Sequence, residues 1–258
     1  MPSESLRYLL EFAVDVAWRA GRSTLARFQA GTDIEWKRDG SPVTAADREA
    51  EKLMRQRIEQ QFPTDGILGE EFAATRPESA RRWILDPIDG TRSFIHGVPL
   101  YGTLVALEER GQPLLGVICL PALEETVAAA LGEGCWWNGR RARVSATSVL
   151  AEALVLTTSA RPMNGAFGAR WQHLCQQVQT CRTWGDCYGY ALVATGRAEA
   201  MIDPRLAVWD AAAVLPIIAE AGGLTTDFQG RVRHDGGNLI ATNAMLADDI
   251  RAAFLESS

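Results

Sequence analysis

Two carboxylates three residues apart, Asp86 and Asp89, stand in the string Trp83-Ile84-Leu85-Asp86-Pro87-Ile88-Asp89-Gly90-Thr91. Their chemistry is that of hard-cation ligands, because carboxylate oxygens bind small divalent ions. Gly90 and Thr91 follow at once. Backbone N–H groups there can face an anion, with glycine leaving its approach unblocked. Acids followed by such N–H groups supply both halves of a site for metal and phosphate. An ordinary turn is the alternative reading, since Asp, Pro and Gly are also what turns are made of.

Other acids fall at the ends of predicted elements, where a scaffold can aim them. Asp47 lies three residues after Thr44 at a helix start, so it serves either as a capping-box acid reaching back to the Thr44 N–H or as an outer member of an acid cluster. Glu70 and Glu71 end a short apolar run at Ile67-Leu68-Gly69. On an extended strand the two point to opposite sides, so one of them, Glu70, is expected in a shared site. Asp210 opens a helix, where the helix dipole also favours an acid. Magnesium suits such a set, since it keeps waters and takes a few carboxylates together with substrate phosphate.

The elements that must position these groups are readable in order. Leu6, Leu9, Leu10, Ala13, Val14 and Ala17 recur at helical spacing and predict an amphipathic helix to about Phe28. A short strand at 34–37 and a turn at 39–42 precede a second helix from Thr44, with Ala50, Leu53, Met54, Ile58 and Phe62 inward. The strand ending at Leu85 is expected to break at Asp86-Pro87, and Ser93-Phe94-Ile95 to open a short helix. Residues 72–81 read as a polar loop that moves. Strands at 101–107, 114–120, 125–131 and 135–137 are joined by short turns, with Asn138-Gly139 a hairpin signal, which predicts an antiparallel sheet. The later part alternates: strands at 154–157, 200–202 and 240–242, and helices at 168–178, 188–195, 209–221 and 245–255. Pro216 should kink the third of these helices. A change of character over 144–151 divides the chain into lobes at 1–148 and 149–258.

Composition narrows the class. Of 258 residues 47% are hydrophobic and 22% charged, as in soluble globular proteins. A net charge of −6 argues against tracking a nucleic-acid backbone. No apolar stretch is long enough to span a bilayer, and charges interrupt the first twenty residues, so no membrane partner or signal peptide is expected. Cys119, Cys135, Cys175, Cys181 and Cys187 show no Cys-x-x-Cys spacing, so neither a zinc site nor a disulfide framework is expected, and the cytoplasm is the expected compartment.

Gly69-Glu70-Glu71, Asp86-Pro87-Ile88-Asp89-Gly90-Thr91, and Trp209-Asp210 with Glu220-Ala221-Gly222-Gly223 together resemble the inositol monophosphatase family, magnesium-dependent phosphatases of small phosphate monoesters. With the elements above, that resemblance implies an α+β / α/β layered sandwich (αβαβα), an antiparallel sheet lobe with paired helices followed by a mixed α/β lobe. It also implies that Glu70, Asp86, Asp89, Asp210 and the Ile88 carbonyl ligate two or three Mg2+ ions. Thr91 and Asp47 would orient and deprotonate the attacking water, with Glu70 contributing to catalysis, and Gly90 and Thr91 would hold the phosphate. A homodimer is implied on the same ground.

The leaving group is read elsewhere. Trp184-Gly185-Asp186-Cys187-Tyr188-Gly189-Tyr190 and Ser93-Phe94-Ile95-His96-Gly97-Val98-Pro99-Leu100 resemble the histidinol-phosphate phosphatase branch. Asp186 and Asp203 fall where the family touches the leaving group, although an N-cap and an Asp-Pro turn explain them locally. Spare acids suit a cationic leaving group. Histidinol phosphate is therefore the expected substrate, with inositol monophosphate next and a non-catalytic cation-binding protein as the reading from another class. His96 is read as a pocket-wall or core residue.

Overall fold

Ser5 caps the first helix, α1 (Leu6–Leu25), its hydroxyl accepting the Tyr8 N–H at 3.2 Å. A hairpin of β1 (Ile34–Trp36) and β2 (Pro42–Thr44) leads into α2 (Ala45–Gln61). The computed structural model describes residues 4–31, 33–159 and 167–255. The strand β2 is not evident in the sequence because Pro42 opens it; proline is tolerated at the first position of an edge strand.

A seven-stranded sheet follows, in the order β3 (Gly66–Gly69), β4 (Arg81–Asp89), β5 (Gly102–Glu109), β6 (Gln112–Leu120), β7 (Glu125–Ala130), β8 (Gly134–Trp137) and β9 (Arg140–Arg141). All its pairs are antiparallel except β3–β4, which is parallel. The five-residue helix α3 (Thr91–Ile95) lies between β4 and β5. Helices α1 and α2 cover one face of the sheet around Met54, Ile58, Trp83 and Leu107.

The second sheet contains β10 (Leu154–Leu156), β11 (Thr180–Arg182), β12 (Ala200–Asp203), β13 (Gly223–Thr226) and β14 (Leu239–Asn243), in the order β11-β10-β12-β14-β13. Its first three strands are parallel, and β14 runs antiparallel to β12 and β13. Between the sheets lie α5 (Asp186–Ala194), α6 (Val208–Ala211) and α7 (Val214–Glu220), packed around Tyr190, Met201 and Ile217. Helices α4 (Gly168–Gln177) and α8 (Ala247–Leu255) cover the far face. The layers therefore run α/β/α/β/α. The first sheet ends at Arg141 and the second begins at Leu154.

Four expectations need correction. The strand does not break at Asp86-Pro87: β4 runs on to Asp89, and a bulge shifts its register against β5 between these two acids. The Thr103 hydroxyl bonds the Pro87 carbonyl at 2.8 Å, which replaces part of the lost ladder. The loop after Glu71 is tied down, because Thr75 and Ile67 exchange backbone hydrogen bonds and Arg55 donates to the Phe72 carbonyl and the Thr75 hydroxyl. Pro216 does more than kink a helix: α6 and α7 separate at Ala212-Ala213, where the Ala212 carbonyl would have needed the N–H that proline lacks. Finally, Cys175 and Cys181 form a disulfide joining α4 to β11. Cys119, Cys135 and Cys187 are buried thiols. Among the described residues no helix is long and apolar enough to cross a membrane.

Candidate active site

The bulge in β4 lies between Asp86, opposite Leu104 of β5, and Asp89, opposite Gly102, and α6, packed against β4, brings Asp210 to them. Ligand oxygens of Asp86, Asp89 and Asp210 all lie within 4.8 Å of one another. Asp210 keeps the local role its position suggests as well, because its Oδ2 accepts the Ala207 N–H at 2.8 Å. Burial, then repulsion from neighbouring acids, pushes Asp86 and Asp89 well above the usual carboxylate range. Burial raises Asp210 too.

Glu70 stands beside this cluster, close enough to repel Asp86, and is pushed up to about 7 chiefly by burial. The expectation that Glu70 and Glu71 point apart is wrong, because β3 ends at Gly69 and strand alternation no longer applies. Lys37, at the end of the β1–β2 hairpin, donates to Glu70 Oε1 at 2.7 Å and to Glu71 Oε1 at 2.6 Å. Burial works against the charge of that ammonium, but the bonds to both acids outweigh it and raise its pKa. Buried Glu51 accepts the Glu71 N–H at 2.7 Å, and a Cβ on Gly69 would overlap its carboxylate. That close approach is the reason for glycine in Gly69-Glu70-Glu71.

Asp47 takes the capping role and also faces Thr91. Its Oδ2 accepts the Thr44 N–H at 2.8 Å and the Thr44 hydroxyl at 2.7 Å, completing the α2 cap. Its Oδ1 faces the Thr91 hydroxyl at 3.4 Å, and the same hydroxyl donates to the Ile88 carbonyl at 2.9 Å. Burial raises the Asp47 pKa, which makes it a stronger proton acceptor than an exposed carboxylate. Gly90, at φ 83°, turns the chain from β4 into α3 in the left-handed region that favours glycine. A side chain there would also begin 3.0 Å from Asp186 Oδ2.

Asp186 therefore sits over Gly90, beside the acid cluster. Its own φ is 51°, and its N–H donates to the Thr158 hydroxyl at 2.9 Å. Burial, then Asp203 and Asp210, pushes its carboxyl up to about 7. The next N–H, that of Cys187, donates to Asp89 Oδ2. Asp203 is 1% exposed, with Tyr190 OH donating to Oδ2 at 2.8 Å and the Thr158 N–H to Oδ1 at 3.0 Å. His96, expected in a pocket wall or the core, is exposed at the end of α3, with Nδ1 on the Arg92 carbonyl at 2.7 Å.

The sequence reading missed Lys37, Glu51, Thr158 and Tyr190. None carries a local signal, since each acts across 13 to 45 residues of chain.

The cluster fits a divalent cation. Asp86 Oδ1 is buried without a hydrogen-bond partner, an arrangement that costs stability unless something accepts its lone pairs. Three mutually repelling carboxylates, Glu70 and the Ile88 carbonyl form an all-oxygen set of the kind hard cations take. Lys37 already places one positive charge on Glu70.

Comparison with known proteins agrees with this chemistry. A model of the inositol monophosphatase family matches residues 5–257. A histidinol-phosphatase from Chlorobaculum parvum is 45% identical, with 95% of each chain covered. An inositol-1-monophosphatase from Rhizobium meliloti is 34% identical, with 94% of each covered. Among solved structures, the extragenic suppressor protein suhB from Bartonella henselae superposes with a TM-score of 0.92 at 30% identity, covering 97% of this chain and 100% of that one. The chain belongs to the inositol monophosphatase family and is a phosphoric monoester hydrolase.

Proposed function

We propose that the chain is a magnesium-dependent phosphatase that hydrolyses L-histidinol phosphate to L-histidinol and inorganic phosphate. The observation that carries this reading is Asp186, a carboxylate additional to the cation cluster, packed over Gly90. Histidinol phosphate carries an ammonium on the carbon next to the esterified one. That cation would meet Asp186 while the phosphate lies against Gly90 and Thr91, and a buried carboxylate gains most from a charged partner.

Glu70, Asp86, Asp89, Asp210 and the Ile88 carbonyl would hold magnesium, which when bound neutralises phosphate charge and lowers the pKa of water. The remaining work falls to the chain. The Thr91 hydroxyl, between Asp47 and the Ile88 carbonyl, orients the attacking water, and Asp47 takes up its proton through Thr91. The N–H groups of Gly90 and Thr91 hold the phosphate oxygens. Water adds to phosphorus, the bond from phosphorus to the ester oxygen breaks, and the leaving alkoxide takes a proton from solvent water to become the alcohol, Asp47 returning its own proton to solvent. A cytoplasmic homodimer is the setting proposed with this activity.

Inositol monophosphate is the second reading, supported by the 34% identical inositol-1-monophosphatase and by the capacity of the same carboxylates to accept hydroxyl hydrogen bonds. The two are separated by phosphate release from histidinol phosphate and from inositol 1-phosphate, each with magnesium and with chelator. The proposal expects kcat/KM at least tenfold higher for histidinol phosphate, and loss of both activities in chelator. Equal rates, or a preference for the inositol ester, would replace it with the second reading.

A further inference from the structure

Asp186 occupies a conformation that its own backbone disfavours. A φ of 51° is left-handed, and a non-glycine residue held there needs support from its surroundings. That support is a closed ring of hydrogen bonds at one edge of the second sheet. The Asp186 N–H donates to the Thr158 hydroxyl at 2.9 Å. The Thr158 N–H donates to Asp203 Oδ1 at 3.0 Å. Tyr190 OH donates to Asp203 Oδ2 at 2.8 Å. Tyr190 lies one helical turn beyond Asp186 on α5, so the ring closes on the helix where it started.

The parts come from three places. Thr158 lies just past the end of β10, Asp203 ends β12, and β10 and β12 are parallel neighbours whose carboxyl ends lie side by side. Such an edge is where parallel sheets place ligand-binding groups. Gly185 seals the joint, since a Cβ there would overlap the Thr158 backbone.

We propose that Thr158, Asp203 and Tyr190 are positioning residues that hold the Asp186 carboxylate against the leaving group and so set leaving-group specificity. Asp203 acts through Thr158 and Tyr190, to which both its oxygens are committed, and does not touch the substrate. This inference rests on the proposed role of Asp186 toward an ammonium-bearing monoester. It departs from the expectation, raised by the sequence, that Asp203 itself meets the leaving group.

The test compares Thr158→Val, which keeps shape but removes the hydroxyl, with Thr158→Ser, which restores it, and adds Tyr190→Phe. Two readouts are taken. The first is the ratio of kcat/KM for histidinol phosphate to kcat/KM for p-nitrophenyl phosphate, which carries no ammonium. Thr158→Val should lower that ratio at least fivefold, mainly through KM for histidinol phosphate, Tyr190→Phe should lower it at least twofold, and Thr158→Ser should restore it. The second readout needs no substrate: amide hydrogen exchange at Asp186 should be at least tenfold faster in Thr158→Val and near the parent rate in Thr158→Ser.

Unchanged exchange in Thr158→Val would overturn the proposal. So would faster exchange with an unchanged substrate ratio, because the ring would then be structural only. A parent enzyme with no preference for the ammonium-bearing ester would sink the substrate reading instead, and that result is seen before any variant is made. Exchange at Asp186 would still decide whether the ring holds it.

Discussion

Without metal, the acid cluster stores repulsion, and Asp86→Asn should release it. Oxygens of Asp86, Asp89 and Asp210 lie within 4.8 Å of one another. At that distance two full charges in an effective dielectric of about 20 repel by roughly 3 kcal/mol. Proton uptake relieves part of this, because the folded state holds Asp86 and Asp89 well above the ordinary carboxylate range. The sign follows from that direction. A proton bound when folded and released when unfolded makes the metal-free protein lose stability as pH rises above the unfolded value of about 4. At pH 8 the loss is largest, and the neutral amide, able to donate to Asp210, should recover about 1–3 kcal/mol. Magnesium reverses the order. At a hundred times its dissociation constant an ion stabilises the parent by about 2.7 kcal/mol, whereas the variant has lost a ligand and gains little. Urea unfolding followed by fluorescence of the eight tryptophans, in chelator and in magnesium, reads both effects. The variant should be the more stable protein in chelator and lose its advantage in magnesium. A variant less stable than the parent in chelator, or an equal magnesium gain in both, would refute the reasoning.

Thr91→Ala removes the hydroxyl between Asp47 and the Ile88 carbonyl and should lower kcat about a hundredfold or more with little change in KM. Near-parent kcat in steady-state phosphate release would remove Thr91 from water activation. Gly116→Ala on β6 would drive a Cβ into the Ala213 carbonyl at the α6–α7 break. A stability loss of about 1–3 kcal/mol is expected, and an unchanged urea midpoint would show that the break yields freely. Burial pushes Asp203 up to about 6 against the bonds from Thr158 and Tyr190. Its contribution is present below the unfolded value of about 4 and lost as pH rises through 6. The stability of Asp203→Asn relative to the parent should therefore rise by about 2–3 kcal/mol between pH 4 and pH 7, and a pH-independent difference would contradict that burial cost.

The cluster was legible in the sequence because carboxylates at the ends of predicted elements have few structural uses in common. Residue type and position at element ends raised Glu70, Asp86, Asp89, Asp210 and Asp47 as candidates, the family resemblance implied their roles, and the structure brings Asp86, Asp89 and Asp210 together, while the capping box at Thr44 announced itself locally. The bulge was hidden, because Asp-Pro reads as a strand end and only pairing with β5 carries the strand through it. Lys37 was hidden for a different reason. Its two carboxylate partners are 33 and 34 residues away, and nothing in a three-residue strand points to them. The disulfide arises because β11 turns back beside the end of α4, bringing Cα atoms six residues apart in sequence to 5.9 Å. Asp203 shows the limit most clearly. The family resemblance put it with Asp186 at the leaving group, but whether it faces substrate or Thr158 is decided by which donors the fold aims at it.

A crystal soaked in manganese, with anomalous scattering collected at the metal edge, tests the shared cation site most directly. A peak within about 2.2 Å of an oxygen from each of Asp86, Asp89 and Asp210 is the expected result. An acid cluster with no peak between those three side chains, or a peak only at exposed carboxylates elsewhere, would contradict it.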